Sequence, residues 1–522
     1  MSGARTFRMT GGPPGLTRTG QAMLGGAVTV LFVAATTGHS ALAAAGAAQL
    51  GLLAASWLAA RRTRDAAHHL DLSIDTPEGP TRARGAPLVV DVRLRNRSAR
   101  LLPDLRLRLR VAGEPQPALE AALHVPPAAQ ADLRFAPCFP RAGHWRVHGV
   151  ELTLLGPLGL TRVRAYVPVE HPVQVRPRAL PRGPLLALLG RHGATRDRAG
   201  RHLNRQAGTG FELRELRDYV PGDSLKTVAW KATARRGRPL VRAFEEESVR
   251  RLQLLLDIGP TMRAGRAGAT PLDRAIDLCA RLAELSAQDR VGLTTFDHRV
   301  YGHLKPMGGR AHLQRALHHL MDLNRVVDDD LTEIADAELM ARVGAFLEAQ
   351  EGVRLRRAGD DPMRPRVART LVDPLAEIYD VGGLYAQVTR YLSLERDRGH
   401  AALFAKGRPA RDTLSARLRL FCALRGIPIP YRLTGPADAF DRGLIDAVGH
   451  SLGPGGPDHL LLFTDLRGLD PVGGGVRALR LATARKRRVV VVDVGDRTPS
   501  SAVRDALRAA HVERVPASAL GN

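Results

Sequence analysis

Aromatic residues make up only 4% of this chain of 522 residues. Proteins that grip single-stranded nucleic acid stack successive bases on aromatic rings. A net charge of +25 without interleaved aromatics is therefore no argument for nucleic-acid binding, and none is expected. Cysteine is scarcer still. Cys138, Cys279 and Cys422 stand far apart, with no CxxC and no His partners at ligand spacing, which argues against a disulfide framework or a zinc site and fits a reducing compartment. Lysine is almost missing, at Lys226, Lys231, Lys305, Lys406 and Lys486 among 77 basic residues. An arginine excess with abundant Ala, Gly and Pro reflects GC-rich coding, and needs no partner beyond an anionic membrane leaflet to lie against.

Charge of either sign is missing from residues 22 to 60, and the first acidic residue is Asp65. Two apolar runs fill that stretch, Ala22 to Thr37 and Ala41 to Ala60, separated by Gly38, His39 and Ser40. The second is long enough to cross a hydrocarbon core, and the first is at the short end of the range. Arg5, Arg8 and Arg18 precede the pair, and Arg61, Arg62 and Arg64 follow it. Positive charge on both flanks predicts a transmembrane hairpin with both ends in the cytoplasm, after a lead over residues 1–20. A cleaved signal peptide is disfavoured by the second apolar run and by the arginines beyond it. Small residues, among them Gly25, Gly26, Gly46 and Gly51, would let the two helices pack closely.

From residue 70 to 178 the period changes to two. Leu88, Val90, Val92 and Leu94 alternate with other residues, and Leu105, Leu107, Leu109 and Val111 alternate with Arg106, Arg108 and Arg110. That pattern predicts half-buried strands with a basic outer face, joined by turn-rich pieces as in a β-sandwich. No acid, base or nucleophile cluster appears here. Residues 179–207 read as a basic linker.

The chain is organised around 208–262, a charged, glycine-punctuated segment with a buried-looking Trp230 that runs into the apolar strand Leu252 to Leu256 and ends on Asp257. Further apolar strands are predicted at Val291 to Phe296, His459 to Phe463 and Val489 to Val492, with a helix carrying Leu272, Ile276, Cys279, Leu282 and Leu285. Such strands alternating with helices imply a parallel sheet covered on both faces, in which ligands bind beyond the carboxyl ends of the strands. Asp257, Asp465 and Asp493 end three of them. Between them, about 325 to 450, lies a stretch that opens acidic (DDDLTEIADAE) and then reads as helical, with helices expected over 375–394 and 413–424 and a short strand at GIPIPYRL.

The segment GTGFELRELRDYVPGDSLKTVAWKATARRGRPLVRAFEEE, followed by an LLLD strand, resembles the membrane-anchored "domain of unknown function 58" family. GPLGL followed by VQVRP resembles what that family places upstream. The resemblance implies a helical hairpin, a β-rich region, the signature over 208–250, and a von Willebrand A-like α/β domain over 251–515, here with a helical insertion. It also implies a protein without established enzymatic activity, at the inner membrane with its bulk in the cytoplasm. Its partners would be a MoxR-type AAA+ ATPase and neighbouring von Willebrand A proteins, and no small-molecule substrate is identified. The motif positions carried over are Gly210, Phe211, Arg214, Arg217, Tyr219, Gly222, Asp223, Trp230, Ala234, Arg235 and Glu246; Lys226 stands where arginine is more usual. Two uses of these residues compete: an ion-pair lattice of Arg214, Arg217 and Arg235 with Asp223, Glu245 and Glu246, or a docking surface.

Von Willebrand A domains that bind Mg²⁺ use a D-x-S-x-S loop, a Thr from a second loop and an Asp from a third. This chain offers Asp257, Gly259 and Thr261 in the first loop and Asp465 in the third, while Arg310 falls where the second-loop Thr would be and is placed to neutralise Asp257. The resemblance thus implies a degenerate metal site of Asp257, Thr261 and Asp465, with Mg²⁺ the candidate cation. The expected function is non-enzymatic partner recruitment. Its rival is a metal-dependent hydrolase using Asp257 and Asp465.

Overall fold

Both apolar runs form helices in the structure, a computed structural model. It describes residues 14–112, 115–189, 202–220, 228–248, 250–350, 355, 381–397, 413–432, 438–453 and 456–520. Helix α1 spans Arg18–Thr37 and helix α2 spans Ser40–Ala67. Thr17 caps the first by accepting from the Gly20 N–H, and Gly38 ends it in the left-handed conformation, at φ 71°, which glycine adopts without Cβ strain. Each is long and apolar enough to cross a membrane. Of the small residues predicted to bring the pair together, one does so: a Cβ on Gly46 would lie 2.6 Å from Leu31 Cγ, whereas Gly25, Gly26 and Gly51 have nothing within 4 Å. Phe32, Val28 and Leu58 point outward.

The chain divides into two compact units, residues 1–178 with 321–433, and residues 179–320 with 434–522. In the first, eight strands follow the hairpin: β1 (Leu70–Asp75), β2 (Thr81–Ala83), β3 (Val90–Asn96), β4 (Leu102–Val111), β5 (Glu120–Val125), β6 (Gln130–Phe135), β7 (Gly143–Leu155) and β8 (Thr161–Arg176). One sheet runs β8-β7-β4-β5, with β2 alongside β8, and the other runs β1-β3-β6. The period-two pattern predicts their faces: Val90, Val92, Leu94, Leu105, Leu107 and Leu109 are buried in one core, while Arg106 and Arg108 are exposed. Asn96 is fully buried among them and satisfied. Its amide donates to the Arg100, Val125 and Pro126 carbonyls, and its Oδ1 accepts from Ser98.

The hairpin is fastened to this sandwich at the GPLGL turn. Thr17 donates to the Gly159 carbonyl at 2.6 Å, Ser56 donates to the Pro157 carbonyl at 3.1 Å, and Ser56 and Thr161 share a buried hydrogen bond of 2.9 Å. A Cβ on Gly20 would sit 2.1 Å from the Leu160 oxygen, so this position requires glycine.

Three helices, Asp336–Gln350, Val381–Asp397 and Leu414–Arg425, build a second core in the same unit around Leu339, Val343, Leu384, Val388, Phe421 and Cys422. Two of them match the helices expected over 375–394 and 413–424, and Asp336–Gln350 is a third. Residues 321–433 of that stretch group with the sandwich, and the helix Ala439–Ser451 groups with the α/β unit. The segment GIPIPYRL yields one isolated bridge, Tyr431 to Thr332, in place of a strand.

In the second unit, β9 (His202–Asp218) and β10 (Leu240–Ser248) form an antiparallel hairpin over the family signature and part of the expected linker. The α/β sheet follows, from β11 (Arg251–Asp257), β12 (Arg290–Phe296), β13 (Val300–Met307), β14 (His459–Thr464), β15 (Arg488–Asp493) and β16 (Glu513–Pro516). Its order is β13-β12-β11-β14-β15-β16, parallel except for the edge strand β13. In chain order that is 3-2-1-4-5-6, the doubly wound arrangement, and its direction of build reverses between β11 and β14. The helix Pro271–Leu285 covers one face, started by a capping box of Thr270 and Asp273.

Candidate functional site

Asp257 ends β11 and Asp465 directly follows β14, so the reversal point of the sheet carries a carboxylate on each side. Doubly wound sheets open their binding crevice here, because the loops leave neighbouring strands in opposite directions. Asp257 is 2% exposed. Its Oδ1 accepts from the Gly259 N–H at 2.8 Å, and its Oδ2 accepts from the Thr464 hydroxyl at 2.8 Å. Thr261, on the short helix Pro260–Arg263, donates to Asp465 Oδ1 at 3.1 Å, and the Arg467 N–H donates to the same oxygen at 3.2 Å. The predicted trio Asp257, Thr261 and Asp465 is thus in one place, linked through Thr464.

Two members of the site were missed in the sequence. Thr464 is the hydroxyl that reaches Asp257, and the available signal was its place as the last residue of a strand paired with β11. Asp297 follows β12 as Asp465 follows β14, and a Cβ on Gly259 would lie 3.1 Å from Asp257 Oδ1 and 3.6 Å from Asp297 Oδ1. Arg310, expected to neutralise Asp257, is exposed at the start of the helix Arg310–Asp322, and the groups that set the Asp257 charge are Asp465, Gly259, Thr464 and Asp297. Asp493 is committed elsewhere. It is buried and accepts from the Arg514 guanidinium at 3.1 and 2.5 Å.

Burial is the main cause that pushes the Asp257 carboxyl up to about 8, with Asp465 adding to it and the Gly259 and Thr464 hydrogen bonds opposing. Asp465 is also raised, again by burial first, against the pull of its hydrogen bonds and Arg467. Its Oδ2 is buried and makes no hydrogen bond among the described residues, although Arg467 Nε stands 3.5 Å away. This buried oxygen, short of a hydrogen bond but ion-paired with Arg467, would suit an oxygen-ligated cation such as Mg²⁺, which takes few protein ligands and keeps several waters, and Asp257 would have to lose its proton to join it. Asp257, Thr261 and Asp465 would hold it. Among the described residues no group of three or more His, Cys, Asp or Glu is placed to hold a metal, so a hydroxyl has to supply the third protein ligand.

Of the signature positions, Gly222 and Asp223 lie outside the described residues, as do the side chains of Phe211, Arg214, Arg217, Glu245 and Glu246, and with them the expected ion-pair lattice; Gly210 is placed as backbone in β9. Trp230 corrects the expectation. It is 65% exposed at the start of the helix Trp230–Arg236, while its neighbours Val228 and Ala229 are the buried ones. The residues just before the helix are the ones seated, Val228 bridging to Val241 and the Ala229 N–H donating to the Leu240 carbonyl. Leu216 and Val220 are also exposed, Tyr219 is half-buried, and Lys231, Ala234, Arg235, Arg236 and Arg238 are exposed around them.

The family model described as "Protein of unknown function DUF58" matches residues 215–350. Residues 215–350 belong to the DUF58 family. The matched stretch of this DUF58 protein runs from within the signature hairpin through β11, β12 and β13 into the helix Asp336–Gln350. No curated protein matches the chain. Among solved structures, a GH20 exo-β-N-acetylglucosaminidase from Vibrio harveyi, as an inactive mutant, is 9% identical over 81% of each chain with a TM-score of 0.15. The same enzyme with N-acetylglucosamine is 10% identical over 81% of each chain with a TM-score of 0.14. Scores this low carry no argument about fold or activity.

Proposed function

We propose that this DUF58 protein is a membrane-anchored, non-enzymatic scaffold whose von Willebrand A-like α/β unit recruits a cytoplasmic partner, a MoxR-type AAA+ ATPase, for complex assembly or envelope-related work. The observation that carries the reading is the exposed apolar group Leu216, Val220 and Trp230, set among Lys231, Arg235, Arg236 and Arg238 within the family signature. An exposed Trp with exposed cationic side chains close by in sequence is the composition of an interface anchor, since Trp and Arg are enriched at binding hot spots. The doubly wound order with its reversal at Asp257 supports the von Willebrand A-like reading. Two apolar helices flanked by arginines at both ends support an anchor with the bulk of the chain in the cytoplasm. Capture of the tagged full-length chain from membranes of its own host tests it: an AAA+ ATPase accompanies the wild type and is depleted with Trp230→Ala. Equal recovery with both would remove the docking surface from the account.

A metal-dependent hydrolase is the second reading, favoured by the buried Asp465 oxygen that makes no hydrogen bond among the described residues. Asp257 and Asp465 would hold Mg²⁺, which would supply Lewis-acid polarisation of a substrate oxygen. Loss of hydrolysis in Asp257→Ala, with partner capture intact, would favour this reading over the scaffold.

A further inference from the structure

A cavity of about 640 Å³ opens within the sandwich unit, at the Val111 end of β4, where the helices Asp336–Gln350 and Leu414–Arg425 cover the sheet. Its size is within the range of small-molecule sites. Its lining combines the apolar side chains of Val111, Leu119, Phe346 and Ile427 with Arg108, Arg110, Arg342 and Arg425, Arg342 and Phe346 lying one turn apart on the same helix; no lining residue is acidic. Gly426 helps shape the rim. It caps the helix Leu414–Arg425 at φ 66°, and a Cβ there would lie 2.7 Å from Ala112 Cα.

The guanidiniums are held in place by neighbouring groups, of which Pro428 itself lines the cavity. Arg108 pairs with Glu120 at 2.9 Å, Arg110 pairs with Glu151, and Arg342 bonds to Glu338 at 2.6 Å and to the Pro428 carbonyl at 2.7 Å. Arg425 is 5% exposed and lies over the rings of Tyr391 and Phe421. His148, also lining the cavity, is pushed down to about 3 by burial first and then by Arg425, Arg110 and Arg146. It is neutral at physiological pH, and its ring lies tilted against that of Phe346, with centroids 5.8 Å apart. Guanidinium donors interleaved with aromatic and aliphatic side chains select a ligand with both characters.

We propose that this cavity binds a small anion, a carboxylate or phosphate monoester carried on an apolar body, with the anionic group at Arg425, Arg110 and Arg342 and the apolar body against Phe346 and Ile427. The site is independent of the partner-recruitment reading.

Full-length protein in neutral-lipid nanodiscs, titrated calorimetrically with phenyl phosphate and with benzoate, tests it. Saturable binding of one or both probes identifies the preferred anion. Phenol and inorganic phosphate alone, each lacking one half of the recognised character, should bind about tenfold or more weakly. Arg425→Gln should weaken the preferred probe by about tenfold or more. Since Arg425 is buried, the partly exposed Arg342→Gln serves as the variant that preserves the fold, with a smaller but measurable loss. Absence of saturable binding by both probes, or affinity unchanged in a folded Arg342→Gln and in Arg425→Gln, overturns the proposal. So does phenol binding as tightly as phenyl phosphate and benzoate.

Discussion

Replacing Asp257 with asparagine should stabilise the α/β sheet at neutral pH in the presence of a chelator, and the gain should grow with pH. In the folded chain the Asp257 carboxyl keeps its proton up to about 8, against an ordinary 3.8. Between those limits the folded state therefore binds about one more proton than the unfolded chain. Stability from this group is whole below 3.8 and is lost as pH rises through 8, at up to about 1.4 kcal/mol per pH unit. From pH 5.5 to 7.5 the wild type should lose on the order of 2 kcal/mol in this unit. The asparagine side chain cannot ionise and keeps a carbonyl to accept from the Gly259 N–H, so the slope of the Asp257→Asn variant should be close to flat. Asp257→Ala, which leaves the Thr464 hydroxyl and the Gly259 N–H without their acceptor, should be about 1–3 kcal/mol less stable than Asp257→Asn at all pH values. Hydrogen exchange of the amides of Leu252 to Leu256, corrected for intrinsic rates, measures the local opening free energy. A wild type whose opening energy is flat across this range, or an asparagine variant as unstable as the alanine, would refute the reasoning.

Arg514→Ala strands the buried Asp493 without its guanidinium, and should cost about 3–5 kcal/mol, read as a fall in thermal midpoint that Arg514→Lys partly restores. Gly46→Leu drives a side chain into Leu31 and should separate α1 from α2, which loss of disulfide cross-linking between engineered cysteines in the two helices would report; unchanged cross-linking would contradict the packing. Trp230→Ala should leave the thermal midpoint nearly unchanged, because the ring is 65% exposed; a drop of many degrees would mean that the ring is structural.

The two-residue alternation from Leu105 to Leu109 and the uncharged run from residue 22 to 60 carry their structures openly, because each is a local pattern with one inexpensive solution. Asp257 and Asp465 were legible for the same reason, as polar ends of continuous apolar strands. Thr464 and Asp297 were not, since their roles come from which strands are neighbours, and β14 lies far along the chain from β11. Nor does local sequence say which sheet the helices of 336–425 cover. Their apolar faces, at Val343, Val388 and Phe421, fit any partner surface of matching width. Trp230 read as core because an aromatic beside Val228 usually is, yet the short helix seats its Val228 end and turns the ring to solvent.

The recruitment account is tested most directly by affinity purification of the whole chain, in detergent, from its native host, with mass spectrometry of what accompanies it. The account predicts an AAA+ ATPase of the MoxR type, enriched with the wild type and lost with Trp230→Ala. Recovery of no ATPase from membranes in which the protein is intact would contradict it.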